Sequence, residues 1–494
     1  MADEIISLGA RLSQLAAERP GRPAVTDAQR TVTWRELDRR TNQIARGLEA
    51  AGVRQGDLVT VGLTNSVDFI EACFGLWKVG ATPQPISFRL PAHEADAVMD
   101  LAKTPILIAG ETLESARPRL DIPALMALAD DDSQVEDRTA PIYKAPTSGG
   151  STGRPKLILS GGPGVYTPPG PEGTGAYRTG GEDVMIMPGP MYHNGPFTSS
   201  FGGLQQGAHL VILPRFDAEE TLKAIDRHKG TWIYLVPTMM SRIWRLPDEV
   251  KARYDVSSLK TAWHLAAPCP PWLKEAWIGW LGPEVIMELY AGTEAQAVTI
   301  ITGAEWLEHR GSVGKVAVGE MAIFDAAGRQ LPPGETGEIF MRRPDGVPPT
   351  YQYRGAEPRT LPGGWESLGD IGWFDAEGYL YLADRRADMI LVGGSNVYPA
   401  EIEAALDEHP LVQSSAVIGL PDEDLGNRIH AIVQPRPGLT EEALREHLRT
   451  QLVSYKQPRT YEFVDGNIRD DAGKVRRTQL RDERLASSRN DASG

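Results

Sequence analysis

Residues 147–158, TSGGSTGRPKLI, gather glycines, hydroxyls and a lysine into one short stretch. Backbone that turns freely beside so many donors is suited to holding an anion. The Walker phosphate signature requires Lys-Ser/Thr after its last glycine. Here Lys156 follows Pro155 and precedes Leu157, so that match fails. GGPG at 161–164 fails the dinucleotide fingerprint in spacing and in having no helix behind it. What remains is Ser148, Gly149, Gly150, Ser151, Thr152 and Gly153, with Lys156 close behind. Consecutive N–H groups and hydroxyls can wrap the β- and γ-phosphates of ATP, and a lysine adds a point charge. A flexible Gly/Ser turn is the alternative reading of the same residues.

Four further stretches carry residues fit for chemistry: ELYAGTEAQ (288–296), GWESLGDIGWFDAEGYLYLADR (364–385), DMILVGGSNVYPAEIE (388–403) and DDAGKVRRTQL (470–480). Singly, each has an ordinary reading. Asp370 before Ile-Gly suits a turn, and Lys474 near Arg469, Arg476 and Arg477 suits a solvated charge run. In this order, with the opening stretch, the five resemble the signature motifs of the adenylate-forming superfamily, whose members include acyl-CoA synthetases, firefly luciferases and peptide-synthetase adenylation domains. The resemblance spans essentially the whole chain. Within the superfamily the chain is most similar to CoA ligases of the bile-acid and steroid-acid type, on TSGGSTGRPKLI, MPGPMYHNGPF, LVPTMMSRIWRLP and HLAAPCPPWLKEAWIGWLGPE.

The resemblance implies a role for each motif residue. Tyr290, Ala291 and Gly292 should line the adenine site, Thr293 should bond the α-phosphate, and Glu294 should help ligate Mg2+. Asp370 should accept bonds from the ribose hydroxyls, and Arg385 should reach the ribose or phosphate. Lys474 should enter the site while the acid's carboxylate attacks the α-phosphate, where two anions meet and positive charge is needed. After acyl-AMP forms, the small domain should turn so that Gly393, Gly394 and Ser395 flank the pantetheine arm of CoA. ATP and CoA are then co-substrates of a small carboxylic acid.

Three departures stand out: Ala387 at the hinge, the long loop 160–182, and Asn467-Ile468 before RDDAGK. They leave room for an enzyme restricted to one half-reaction, or one using another acceptor. Tyr192, His193, Asn194 and Gly195 replace the aspartate that peptide-synthetase domains use for an α-amino group, which disfavours an amino acid. His193 is the expected gate or carboxylate-orienting residue of the acyl pocket. Gly195, Gly202 and Gly203 are expected to leave space behind it, with Val236, Met239, Met240, Ala266 and Ala267 as an apolar lining. The acid this describes is bulky and apolar: polycyclic, or medium to long acyl.

The elements that must position these residues are legible in outline. DLVTVGL (57–63) reads as a buried strand, VDFIEACFGLWKVG (67–80) as a helix, and HLVILP (209–214) and TWIYLVP (231–237) as strands flanking a helix from Ala218 to about His228. Thr33 and Glu36 form a capping-box pattern. Segment 160–182 is too rich in Gly and Pro for regular structure, 320–384 reads as short alternating strands, and the texture changes again after Arg385. The expected fold class is α/β: a large N-terminal domain of stacked, mostly parallel α/β sheets plus a β-rich subdomain, and a small mobile α+β C-terminal domain. The boundaries fall at 1–384, a hinge at 385–388, and 389–494.

Composition limits the remaining classes. A chain of 494 residues exceeds one hydrophobic core, and its apolar fraction of 41% is that of a globular protein. A net charge of −15 argues against nucleic acid or an anionic membrane as the main partner. No apolar run could span a bilayer, the N-terminus does not read as a secretory signal, and the expected location is cytoplasmic. Cys73 and Cys269 alone build no disulfide framework and read as buried small hydrophobes. The resemblance admits a homodimer, although no surface feature of the sequence argues for one.

Overall fold

Strands that read as unbroken apolar runs must be covered on both faces, and here they are. In the computed structural model Trp232–Leu235 is buried throughout, and Val184–Met187 and His209–Ile212 are buried beyond their first residue. The structure describes residues 6–115, 117–149, 155–168, 177–385, 388–392, 395–422, 424–470 and 473–491. Six strands pair in parallel across the centre of one sheet, in the order Pro23–Thr26, His209–Ile212, Val184–Met187, Trp232–Leu235, Thr261–His264 and Ile286–Tyr290. After Ile286–Tyr290 the pairing turns antiparallel, through Val298–Thr302 and Ser312–Val318.

The expected β-rich region is present as Glu320–Phe324, Gly337–Arg342, Trp365–Phe374 and Leu380–Arg385. It does not form a sheet of its own, because Leu380–Arg385 bonds to Ser312–Val318 and continues the ladder. A second, four-stranded parallel sheet contains Leu58–Gly62 and Thr82–Pro85, with the helix Val67–Lys78 between them in sequence. The capping box at Thr33 and Glu36 forms, each residue's side chain bonding the other's backbone N–H. The loop expectation for 160–182 needs one amendment. Val165–Tyr166 pairs with Ile6–Ser7, since a two-residue bridge needs little local propensity once its partner is held by packing.

Residues beyond 388 build separate sheets and a separate core. Val412–Asp422, Gly426–Pro435 and Thr460–Phe463 form one sheet, against which Pro399–Glu408 packs through Ile402 and Leu406, and Glu441–Gln451 through Leu444 and Leu448. Large and small α/β units are therefore both present, as the residue pattern implied. Ala387, the expected hinge, lies outside the described residues.

Arg245, at the end of the helix Pro237–Trp244, ties the two units. Its guanidinium donates to the carbonyl of Asp407 at 2.8 Å and to that of Val412. Within the small unit, Glu403 is 5% exposed and receives Arg477 at 2.8 and 2.9 Å, Arg469 at 3.3 Å and the Val417 N–H at 2.8 Å. Arg469 and Arg477 are thus not a solvated charge run. Breaking a buried ion pair leaves an uncompensated charge, so Glu403→Ala should destabilise the small unit by about 3 kcal/mol. Urea unfolding would show an early transition for this variant, and a single unshifted transition would contradict the assignment.

Candidate active site

Five of the six loops leaving the carboxyl ends of the central parallel strands face one cavity of about 2910 Å³. Pro188 to His193 follow Val184–Met187, Pro214 to Phe216 follow His209–Ile212, and Val236 to Met239 follow Trp232–Leu235. Leu265 to Cys269 follow Thr261–His264, and Ala291 to Glu294 follow Ile286–Tyr290. Ligands of α/β sheets bind at this rim, where strand order changes direction. Asp370, Lys156, Thr147 and Lys474 line the same cavity.

The opening stretch folds as a hairpin. Thr147–Gly149 pairs antiparallel with Pro155–Ser160, setting Ser148 opposite Lys156 and Gly149 opposite Pro155. Gly150, Ser151, Thr152 and Gly153 lie outside the described residues, and so do Gly393 and Gly394. Of Ser148 and Arg385 only the backbone is described; Arg385 stands opposite Asp370 across neighbouring strands. Tyr351–Arg354, almost two hundred residues later, adds a third strand to the hairpin and puts Tyr353 opposite Ile158.

That third strand organises Glu294, whose residue is 6% exposed. The Tyr353 hydroxyl donates to Glu294 Oε1 at 2.5 Å, and Lys156 Nζ stands 3.6 Å from the same oxygen. Lys156 also lies 4.0 Å over the Tyr353 ring. Thr350 Oγ1 holds the Glu294 carbonyl at 2.6 Å. Burial, then the Glu294 carboxylate, pushes the Tyr353 hydroxyl far above its ordinary range, so it remains a donor. A single buried carboxylate suits Mg2+, which keeps several waters and takes its other ligands from substrate phosphates.

The residues expected to hold the nucleotide are built with equal economy. Tyr290 donates its hydroxyl to Asp370 Oδ2 at 2.7 Å, which locks the ring orientation and fixes the carboxylate. Gly369, at φ +86°, sits inside the strand Trp365–Phe374 where its pairing register shifts, next to Asp370. A Cβ on Gly292 would lie 2.1 Å from Leu368 Cδ1, so a larger residue there would have to displace the Leu368 side chain. Gly473 similarly lets the Lys474 loop press against the large unit, where a Cβ would meet Thr238 Oγ1 at 2.6 Å. Asp470 accepts the Lys474 backbone N–H at 2.9 Å, and Arg469, anchored on Glu403, donates to the Gly473 carbonyl at 3.3 Å.

The side expected to take the acyl group differs from expectation at Gly195, Gly202, Gly203, Cys269 and Met240, which is buried and does not line the cavity. His193, Val236, Ala266 and Ala267 line the cavity, as does Met239. Ala266 does so at φ +74°, a conformation that L residues adopt only when their surroundings hold them there. Gly195 and Gly203 do not leave space: a Cβ would meet Tyr234 Oη at 2.6 Å in one and Met185 Sδ at 1.9 Å in the other. They are contact points for a bulky neighbour, which sequence cannot distinguish from vacancy. Gly202 has only Tyr177 Cδ2 within 4 Å of a Cβ, at 3.9 Å, and it is Tyr177 rather than Gly202 that lines the cavity. Cys269 is only partly buried and lines the cavity, whereas Cys73 is in the core.

Beneath this face sits a polar cluster absent from the sequence reading. Lys274, fully buried, pairs with Glu288, and His264 Nδ1 is 3.8 Å from the same carboxylate. Burial lowers His264 to about 4, so the imidazole is neutral. Lys144, Tyr353 and Glu403 were also not singled out. Tyr353 and Glu403 act across long sequence separations and leave no local signal. Lys144, three residues before the hairpin, could have been flagged as a charge in an otherwise small and apolar run.

An AMP-binding enzyme model matches residues 12–351, and an AMP-binding enzyme C-terminal domain model matches 401–474. The fatty acid–[acyl-carrier-protein] ligase ScoC of Streptomyces coeruleorubidus is 31% identical over 94% of this chain and 94% of its own. The 3-[(3aS,4S,7aS)-7a-methyl-1,5-dioxo-octahydro-1H-inden-4-yl]propanoyl:CoA ligase of Rhodococcus jostii is 29% identical over 98% of this chain and 100% of its own. The structure of o-succinylbenzoate coenzyme A synthetase from Bacillus subtilis with ATP and magnesium ion superposes with TM-score 0.79 at 25% identity, covering 97% of this chain and 100% of that one. With its rim cavity, split α/β architecture and these matches, the chain belongs to the AMP-binding enzyme family, the adenylate-forming superfamily.

Proposed function

We propose that this AMP-forming acid–thiol ligase activates a bulky apolar carboxylic acid, polycyclic or medium to long acyl, as acyl-AMP and passes the acyl group to CoA. The observation carrying the reading is the convergence of Lys156, Glu294, the Tyr290–Asp370 pair and Lys474 on one cavity. Asp370 holds the ribose, Tyr290 with Ala291 and Gly292 flanks adenine, and Thr293 and Lys156 meet phosphate oxygens. Glu294 would hold Mg2+, which supplies charge neutralisation to the phosphates when bound. Lys474 approaches the carboxylate and α-phosphate, so the two anions meet beside a cation that costs no reorganisation. Gly393, Gly394 and Ser395 are assigned to the pantetheine path, and 385–388 to the hinge of the domain turn that exposes it.

The apolar acid is supported by Tyr177, Val236, Met239, Leu265 and Leu289 along the cavity and by the small Ala266 and Ala267. The bicyclic propanoate in the name of the Rhodococcus relative is an acid of this kind. A second reading, the same adenylation with a carrier-protein thiol as acceptor, is favoured by the name of the Streptomyces relative. No helix among the described residues is long and apolar enough to cross a membrane.

Lys474→Ala should slow acyl-AMP formation by about 100-fold, a typical cost of removing one charge-stabilising donor. CoA acylation from supplied acyl-AMP should stay within a few-fold of wild type, and parallel loss in both assays would sink the role. Asp370→Ala should weaken AMP binding by about tenfold, read by calorimetry, with acid KM unmoved. Incubation with ATP, Mg2+, CoA and a graded acid series, followed by mass spectrometry, tests the substrate class. Turnover confined to short polar acids would refute the bulky apolar assignment, and adenylation without CoA acylation would favour the carrier-protein acceptor.

A further inference from the structure

The protein neutralises two of its buried lysines internally. Lys78, 3% exposed, donates to the Asp38 carboxylate at 2.6 Å, the Asp38 carbonyl at 3.0 Å and Asn42 Oδ1 at 2.5 Å. Lys274 is paired with Glu288. Lys144 is the exception. It is 6% exposed and lines the cavity, yet among the described residues no hydrogen bond or ion pair reaches its ammonium. The closest aromatic ring, that of Tyr143, is 5.9 Å away, and the carboxylate it senses is Glu294, already engaged by Lys156 and Tyr353. The side chain is buried while its ammonium opens on the cavity, which marks a place where a ligand supplies the counter-charge.

The position of Lys144 narrows the choice of anion. Its carbonyl accepts the Ser160 N–H at 3.0 Å, which lays the residue against the strand that carries Lys156. The residues assigned to the acid, Val236, Ala266 and Ala267, instead leave the carboxyl ends of the central sheet. Lys144 therefore stands with the phosphate hairpin and Glu294.

We propose that Lys144 is a second lysine for the terminal phosphates of ATP, holding the pyrophosphate group as it leaves. This rests on the ligase reading above. When the acid's carboxylate oxygen bonds to the α-phosphorus, the bond from that phosphorus to the α–β bridging oxygen breaks. Its electron pair departs with pyrophosphate, and Lys144 and Lys156 share the charge. The unpaired ammonium in the free protein is the cost of having this cation in place beforehand.

The test compares wild type with Lys144→Met and Lys144→Gln. Calorimetric titrations use magnesium pyrophosphate and, separately, AMP, and thermal unfolding is followed without ligand. Both variants should bind pyrophosphate about tenfold more weakly or worse, with AMP affinity unchanged. Lys144→Met should also unfold at a higher temperature than wild type, since an apolar side chain replaces an unpaired charge. A purely structural lysine would give the opposite: lower unfolding temperature and parallel loss of both ligands. That result, or wild-type pyrophosphate affinity in both variants, overturns the proposal while leaving the ligase intact. Wild-type protein that binds neither ligand and releases no AMP from ATP would overturn both.

Discussion

A parallel strand buried on both faces can offer chemistry only at its ends, and the rest of this molecule follows from that constraint. Six such strands run side by side, and their side chains are committed to packing. The loops at their ends are left free for other work, and five of the carboxyl-end loops converge on one cavity. The residues proposed for the acyl group and for the nucleotide, far apart in sequence, become neighbours because the sheet brings consecutive strand ends to one rim. The change to antiparallel pairing after Ile286–Tyr290 lets the chain return with Asp370 four strands further along the same sheet, within reach of Tyr290.

Around that rim the protein manages charge by pairing what it buries. Glu294 is held between an ammonium and a phenol, Glu288 by Lys274, and Glu403 by two arginines. The desolvation penalty of each group is offset locally, so each has one geometry rather than several. Lys144 departs from that rule, and so it reads as a group kept for a ligand instead of for the fold.

The small unit depends on the same device. Arg469 and Arg477 flank Lys474 in sequence, and both are drawn back onto Glu403. The loop between them is thereby braced at both ends while Gly473 passes close to Thr238. Arg245 caps carbonyls of the small unit from the large one, so the lysine loop and the cavity share a single set of contacts between units. The hydrogen bonds Arg245 makes across this boundary are of the polar kind that the proposed second half-reaction could rearrange.

Sequence by itself determined the elements, the five motifs and hence the family, because local periodicity and short spacings are properties of neighbouring residues. The helix Val67–Lys78, the capping box at Thr33 and the strand–helix alternation were all legible that way. Only tertiary structure decided that Tyr351–Arg354 would leave its neighbours to join the hairpin, that the β-rich strands would extend the central sheet, and that Glu403 would brace the lysine loop. It also decided that Gly195 and Gly203 would be filled by Tyr234 and Met185 rather than left open. The physical reason is the same in each case. A glycine, a carboxylate or an edge strand states what it permits, and the partner that uses the permission arrives from elsewhere in the chain.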